Sequence, residues 1–384
     1  MACAQIPDLP LDLFGEQQLR KWVENHVPLS GTMELDLRCN LRCLHCYRDG
    51  EWPSGILSTD EVKGVLDQVA EAGTIWILFT GGEIFLRRDF FEIYEHAKDL
   101  GLVVTLFTNG TMVTEQIADR LAERAPYSIE VTLYGHSRET YEKVTGVPGS
   151  HEKCYRGVEL LLDRGLPVKL KTIVMRTNQH ELTDLMRFAK ERELSLKYDT
   201  MINPDFDGSL VPCNVRLNPE EAVALDFALP ERVEEYREYF ERFKDYRTSR
   251  VFSCGAGSRT FHIDPYGNMK MCLLLRDPEF SLKEMTFKKV WEEMFPPVYL
   301  QMRDADHGCN SCNLSTLCNK CPAWSQLEKG RLDARVEYTC EVGHRRAEVL
   351  GYYDGPVDQF TRSEMPPPSE VLLPIHKTAG GCCS

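Results

Sequence analysis

From about residue 32 the chain alternates short apolar runs with amphipathic stretches, six times over. The runs are MELDL, IWILF, VVTLF, IEVTL, PVKLKTIV and SLKYDTM. The stretch STDEVKGVLDQVAEAG sets Val62, Val65, Leu66 and Val69 on one stripe, with Ser58 or Thr59 to cap it and Gly73 to close it. VTEQIADRLAER repeats the pattern with Ile117 and Leu121, and QHELTDLMRFAKER with Leu182, Leu185 and Ala189. Strands that alternate with helices form a parallel sheet with the helices outside it. Six units are too few for a closed eight-stranded barrel. The expected fold is therefore α/β, an open partial (β/α)6 barrel, with its chemistry beyond the carboxyl ends of the strands.

The alternation stops at NPDFDGSLVPCNVRLNPEE, a linker rich in turn formers, which leads into the charged helical segment PERVEEYREYFERFKDY. Short hairpin-like pieces dense in cysteine come next. The end, EMPPPSEVLLPIHKTAGGCCS, has no periodicity and is expected to be flexible. These shifts divide the chain into a lead-in (1–31), a barrel (32–205), a linker with a bridging helix (206–250), a cysteine-rich domain (251–345) and a tail (346–384).

A net charge of −14, spread along the chain, argues against nucleic acid as a partner. No apolar run approaches the roughly 20 residues that cross a bilayer, and the start lacks the pattern of a signal peptide. No membrane partner is expected, and the expected compartment is the cytoplasm. There, fifteen cysteines suggest metal or redox chemistry rather than disulfides. Three lie at 39 to 46, seven between 254 and 340, and two at 382 and 383.

Cys39, Cys43 and Cys46 follow the first expected strand as Cys-x3-Cys-x2-Cys, in a loop where three thiolates can converge on one group. A four-iron cluster held by three cysteines keeps one iron open for a ligand from outside the protein. The alternative is a zinc site with His45 as fourth ligand.

This loop resembles that of the radical S-adenosylmethionine (SAM) enzymes. In that family the open iron takes the amino and carboxylate groups of SAM, and His45 occupies the position that is usually aromatic. TGGEIFLR places Gly81, Gly82 and Glu83 at the end of the second strand, where the family's GGE motif holds the SAM amino group. Glycines admit close backbone approach, and a carboxylate pairs with an ammonium. Ile84 stands where the family more often has proline. By the same resemblance Asn109, in LFTNGT, and Thr132, in VTLYG, are SAM contacts; both also suit a strand-end turn.

The second cysteine region reads Cys254-x12-Gly267-x4-Cys272, then Cys309-x2-Cys312-x5-Cys318-x2-Cys321 and Cys340. It is similar to the SPASM extension of a subset of radical SAM enzymes, except that the last close pair is separated by two residues where three are common. The resemblance implies two auxiliary [4Fe–4S] clusters, three clusters in all. Cys254, Cys272 and Cys321 would bind the first, with Cys213 as a possible fourth ligand or an iron left open. Cys309, Cys312, Cys318 and Cys340 would bind the second. Zinc ribbons use the same CxxC pairs. Cys154, on a stripe with Val158, Leu161 and Leu162, reads as core. Cys3, Cys382 and Cys383 receive no role.

The activity so implied is reductive cleavage of SAM to a 5′-deoxyadenosyl radical that takes hydrogen from a peptide or protein. Crosslinking or thioether formation in a ribosomal peptide is the leading expectation. Leu273, where sulfatase-maturing relatives generally carry aspartate, weighs against a sulfatase-maturase-like oxidase. A tetrapyrrole-pathway enzyme would share both cysteine regions, and a non-catalytic zinc-binding module could use the same thiols. The expected partners are a flavodoxin- or ferredoxin-type electron donor and a separate leader-recognition protein, since about 30 residues precede the first strand.

Overall fold

The structure is a computed structural model and describes residues 25–47, 54–245, 248–318 and 320–352. Cys3, Cys382, Cys383 and the tail beyond residue 352 lie outside the described residues. Each of the six apolar runs falls on a strand: β1 (Ser30–Asp36), β2 (Trp76–Gly81), β3 (Val103–Thr108), β4 (Ser128–Thr132), β5 (Val168–Ile173) and β6 (Leu196–Asp199). They pair in parallel in the order β6-β5-β4-β3-β2-β1.

Helices α1 (Thr59–Glu71), α2 (Phe90–Asp99), α3 (Glu115–Glu123), α4 (Arg138–Thr145), α5 (Ser150–Leu162) and α6 (Leu182–Glu191) accompany the strands. Ser58 and Glu61 close a capping box at the start of α1, and Gly73 leaves its end with φ of 89°. The stripe of Val62, Val65, Leu66 and Val69 is buried, in one core with Val104, Leu106, Ile129, Val131 and Leu170 of the sheet. Cys154 on α5 lies in that core.

Strands β3 and β5 alternate strictly between fully and partly buried residues, and β4 does so from Ile129 on. Parallel sheets are usually covered on both faces. Here the second face carries Thr105, Phe107, Glu130, Thr132, Lys169 and Lys171, all partly buried, and forms the inner wall of a partial barrel.

The sheet continues past β1. Strand β7 (Thr260–Ile263), from the cysteine-rich region, lies parallel beside β1, and β8 (Asn268–Lys270) and β9 (Phe280–Ser281) follow antiparallel, making nine strands. The hairpin-like pieces of this region thus also extend the barrel sheet. Gly31 permits the join, because a Cβ there would lie 2.2 Å from the Phe261 ring. A buried pair, His262 Nε2 to Glu34 Oε2 at 3.1 Å, ties β7 to β1.

Beyond β6 come α7 (Pro219–Asp226), α8 (Pro230–Phe243), α9 (Pro322–Lys329) and α10 (Glu337–Leu350). The expected boundary at 345 falls inside α10, whose buried stripe continues through Ala347 and Leu350. Arg346 of α10, 1% exposed, donates to Asp226 of α7 at 2.6 and 2.9 Å and to the Leu317 carbonyl at 2.9 Å. No helix among the described residues is long and apolar enough to cross a membrane.

Candidate cluster and cofactor site

The cysteine loop leaves β1 at Asp36, whose carboxylate accepts the Arg38 N–H at 2.9 Å and turns the chain. The end of β2 is laced to the root of this loop. Gly82 N–H donates to Asp36 O and Glu83 N–H to Arg38 O, both at 2.8 Å. A Cβ on Gly81 would lie 2.1 Å from Asp36 O, and one on Gly82 would lie 2.2 Å from Arg38 O. The sequence suggests that these glycines make room for a cofactor. In the fold their Cβ-less faces lie against the backbone of residues 36–38, so they also let the end of β2 approach the loop.

The far side of the loop pairs like a short strand with the end of α4: Arg42 N–H donates to Thr145 O at 2.8 Å and Leu44 N–H to Val144 O at 3.0 Å. Gly146 keeps φ of 66° next to Arg42. Between loop and helix end lies a cleft of about 430 Å³, with Cys39, Asn40 and Arg42 on one side and Gly146 and Pro148 on the other.

Glu83 is fully buried. Its carboxylate accepts the Thr108 hydroxyl at 2.8 and 2.9 Å, the Asn109 N–H at 2.8 Å and the Phe85 N–H at 3.3 Å. Burial pushes its pKa up to about 7, against the pull of these donors. No cation among the described residues pairs with it, so an incoming ammonium would find a desolvated, oriented partner.

Asn109 is committed to the loop. Its amide donates to Asn40 Oδ1 at 3.0 Å and points at Cys39 Sγ from 3.7 Å, while its oxygen accepts from Thr111 at 2.6 and 2.9 Å. Asn40 Nδ2 closes the ring onto the Thr111 hydroxyl at 2.7 Å. Sequence reasoning misses Asn40 and Thr111, although both lie inside motifs it singles out. It misses Tyr134 too, whose hydroxyl donates to the Cys43 sulfur and whose ring centroid lies 5.1 Å from that of His45. His45 is neutral, burial lowering its pKa to about 4, and its Nδ1 is buried without a hydrogen-bond partner among the described residues. Thr132 lies on the inner wall beside Lys171.

Cys39, Cys43 and Cys46 are electrostatic neighbours. Burial raises the pKa values of both Cys39 and Cys43, helped by Glu83 and Cys46 at Cys39 and by the other two thiols at Cys43, while the Leu41 N–H reaches Cys39 Sγ at 3.4 Å and pulls the other way. Desolvated thiols that repel one another as thiolates, with amide donors aimed at sulfur, suit a cationic metal group that displaces their protons together.

The seven later cysteines fall into two sets by proximity. Cys272 feels Cys321 and Cys254, and Cys321 feels Cys254. Cys318 feels Cys340, Cys309 and Cys312. These are the two ligand sets that the resemblance implies. Burial pushes Cys272 and Cys318 up to about 12. Cys321 caps α9, accepting the Trp324 N–H at 3.5 Å; burial raises its pKa and this cap opposes the rise. Gly343 of α10 lets Cys318 approach, since a Cβ there would lie 2.7 Å from that of Cys318. Cys213 stands apart: its sulfur faces the Ile202 carbonyl at 3.9 Å, and its charged neighbours are Arg216 and Glu328. Among the described residues no three His, Cys, Asp or Glu side chains are drawn tightly enough to hold one ion.

A partial parallel barrel, a three-thiol loop after its first strand and a buried carboxylate after its second meet in one connected site. Residues 34–189 match the radical SAM superfamily, whose members bind a [4Fe–4S] cluster and SAM. Among relatives, an AdoMet-dependent heme synthase of Methanosarcina barkeri is 26% identical, over 77% of this chain and 92% of its own. A PqqA peptide cyclase of Rhodopseudomonas palustris is 28% identical, over 64% of this chain and 67% of its own. Streptococcus suis SuiB, solved bound to the precursor peptide SuiA, shares the fold with a TM-score of 0.63 at 16% identity, over 88% of this chain and 84% of its own. In this chain a cysteine-rich C-terminal region follows the parallel strands.

Proposed function

We propose that the chain is a radical SAM maturase acting on a peptide, and that Cys39, Cys43 and Cys46 hold its catalytic cluster. With cluster and SAM bound, the site supplies reductive cleavage of SAM to a 5′-deoxyadenosyl radical. The protein's residues bind and orient. Glu83 receives the SAM ammonium; Gly81 and Gly82 fix the loop against β2; Asn109 holds Asn40 and Cys39 in place. Tyr134 and His45 wall off Cys43 from water, and Thr132 offers a hydroxyl on the inner wall. Cys254, Cys272 and Cys321 hold a first auxiliary cluster with one iron free of a cysteine, since Cys213 faces elsewhere, and Cys309, Cys312, Cys318 and Cys340 hold a second. The domain limits at 31, 205 and 250 serve as working boundaries, with the fourth moved to 350. A flavodoxin- or ferredoxin-type donor and a separate leader-recognition protein complete the system, in the cytoplasm.

The observation that carries the chemistry is Glu83, a buried carboxylate without a cation, one hydrogen bond from the residue that touches Cys39. Support for a peptide comes from the PqqA peptide cyclase and the peptide-bound SuiB. The test is mass spectrometry of candidate precursor peptides incubated anaerobically with reconstituted enzyme, SAM and dithionite. The expected result is a peptide lighter by two hydrogens. A second reading, a tetrapyrrole side-chain reaction, is favoured by the coverage of the heme synthase relative. Loss of carbon dioxide from a propionate-bearing tetrapyrrole, with every peptide unchanged, would establish it.

A further inference from the structure

One charged group on the inner wall meets an aromatic ring but no acid partner among the described residues. Lys171 of β5 stands in register between Thr132 of β4 and Lys197 of β6. Its Nζ reaches across β4 to lie 2.7 Å from the ring centroid of Phe107 on β3. Among the described residues it makes neither a hydrogen bond nor an ion pair. Burial lowers its pKa to about 7; Glu130 opposes that fall and Lys197 adds to it.

An ammonium enclosed by protein without a counter-ion is costly, and one ring face returns only about 1–2 kcal/mol. Its location suggests what offsets the cost. Lys171 lies toward the carboxyl end of its strand, on the face opposite the helices, where ligands gather in such folds. Lys169 and Lys197 share that face with it, and Glu130 and Asp199 are the nearby acids. The chain as a whole carries −14, so a carboxylate that settles here is drawn by this local cluster rather than by the general field.

We propose that Lys171 is the receptor for a carboxylate of the substrate, so that the barrel selects a peptide bearing an acidic residue. This rests on the peptide reading and on the inner wall as the substrate chamber. SAM also carries a carboxylate, and the experiment separates the two sources.

The full chain is reconstituted anaerobically and trace-labelled with acetic anhydride. Acetylation is read by mass spectrometry at Lys171 and at Lys288, whose side chain is 76% exposed and serves as internal reference. Saturating glutarate is expected to slow labelling of Lys171 about fivefold or more and to leave Lys288 unchanged. Glutaramide is expected to do nothing, a glutamate-containing tripeptide to act as glutarate does, and protection to persist with SAM bound. Equal labelling with and without glutarate overturns the proposal. Complete protection by SAM alone assigns the lysine to the cofactor and overturns it as well. Protection by a propionate-bearing porphyrin but not by the tripeptide overturns the peptide assignment. If the same preparation forms 5′-deoxyadenosine, a negative result sinks this inference alone; if it does not, the broader reading falls.

Discussion

Glu83 sets an energetic tension at the residue scale: four hydrogen bonds hold a carboxylate that burial would rather protonate. Its pKa, raised to about 7 from 4.5, means that the folded protein keeps this proton after the unfolded chain has lost it. Between those values the unfolded state binds fewer protons, so Glu83 lowers stability as pH rises. Cofactor-free Glu83→Gln should therefore lose part of the fall in denaturation midpoint that the wild type shows from pH 5 to 7; an identical fall in both would contradict the assignment. The same variant removes the partner of an ammonium, worth about 1.5–3 kcal/mol, so SAM should bind about 10- to 100-fold more weakly by equilibrium dialysis, with iron content unchanged. The cysteine spacing makes the ligands legible in the sequence, because local loops need local spacing. Tyr134, Asn40 and Thr111 are not legible there, because their roles rest on contacts about 70 residues apart or on packing against Cys43 and His45.

Elements place these residues, and two glycines decide how closely β2 and the cysteine loop approach. Gly82→Ala would drive a Cβ into the Arg38 carbonyl, a backbone atom that cannot swing aside. Reconstituted G82A should lose the iron held by the first loop, about four atoms per chain, and keep the rest. Ser58→Ala, which removes the cap of α1, should cost about 1 kcal/mol in denaturant unfolding and leave cluster content alone. Amphipathic stripes reveal α1, α3 and α6 together with all six barrel strands. Helices α2 and α4 go unread, although Phe90, Ile93, Tyr94 and Ala97 of α2 form a stripe as regular as that of α1. Strand β7 is hidden because its partner is β1, and their buried His262–Glu34 contact spans 228 residues of chain.

The barrel and the cysteine-rich region form one sheet, and the buried Arg346–Asp226 pair fastens α10 to α7 behind it. Removing one partner strands the other charge: Asp226→Ala should destabilise the protein by about 3–5 kcal/mol, whereas Asp226→Leu with Arg346→Met should recover much of that loss. Calorimetry of the single and double variants checks this. The central claim is that Cys39, Cys43 and Cys46 hold the cluster that cleaves SAM. Its most direct test is 5′-deoxyadenosine formation by anaerobically reconstituted, dithionite-reduced protein, compared with the variant in which those three cysteines are alanine. The account predicts about twelve irons and steady 5′-deoxyadenosine from the wild type, against about eight irons and none from the variant. Equal 5′-deoxyadenosine from both proteins, or none from a fully iron-loaded wild type supplied with its substrate, would contradict it.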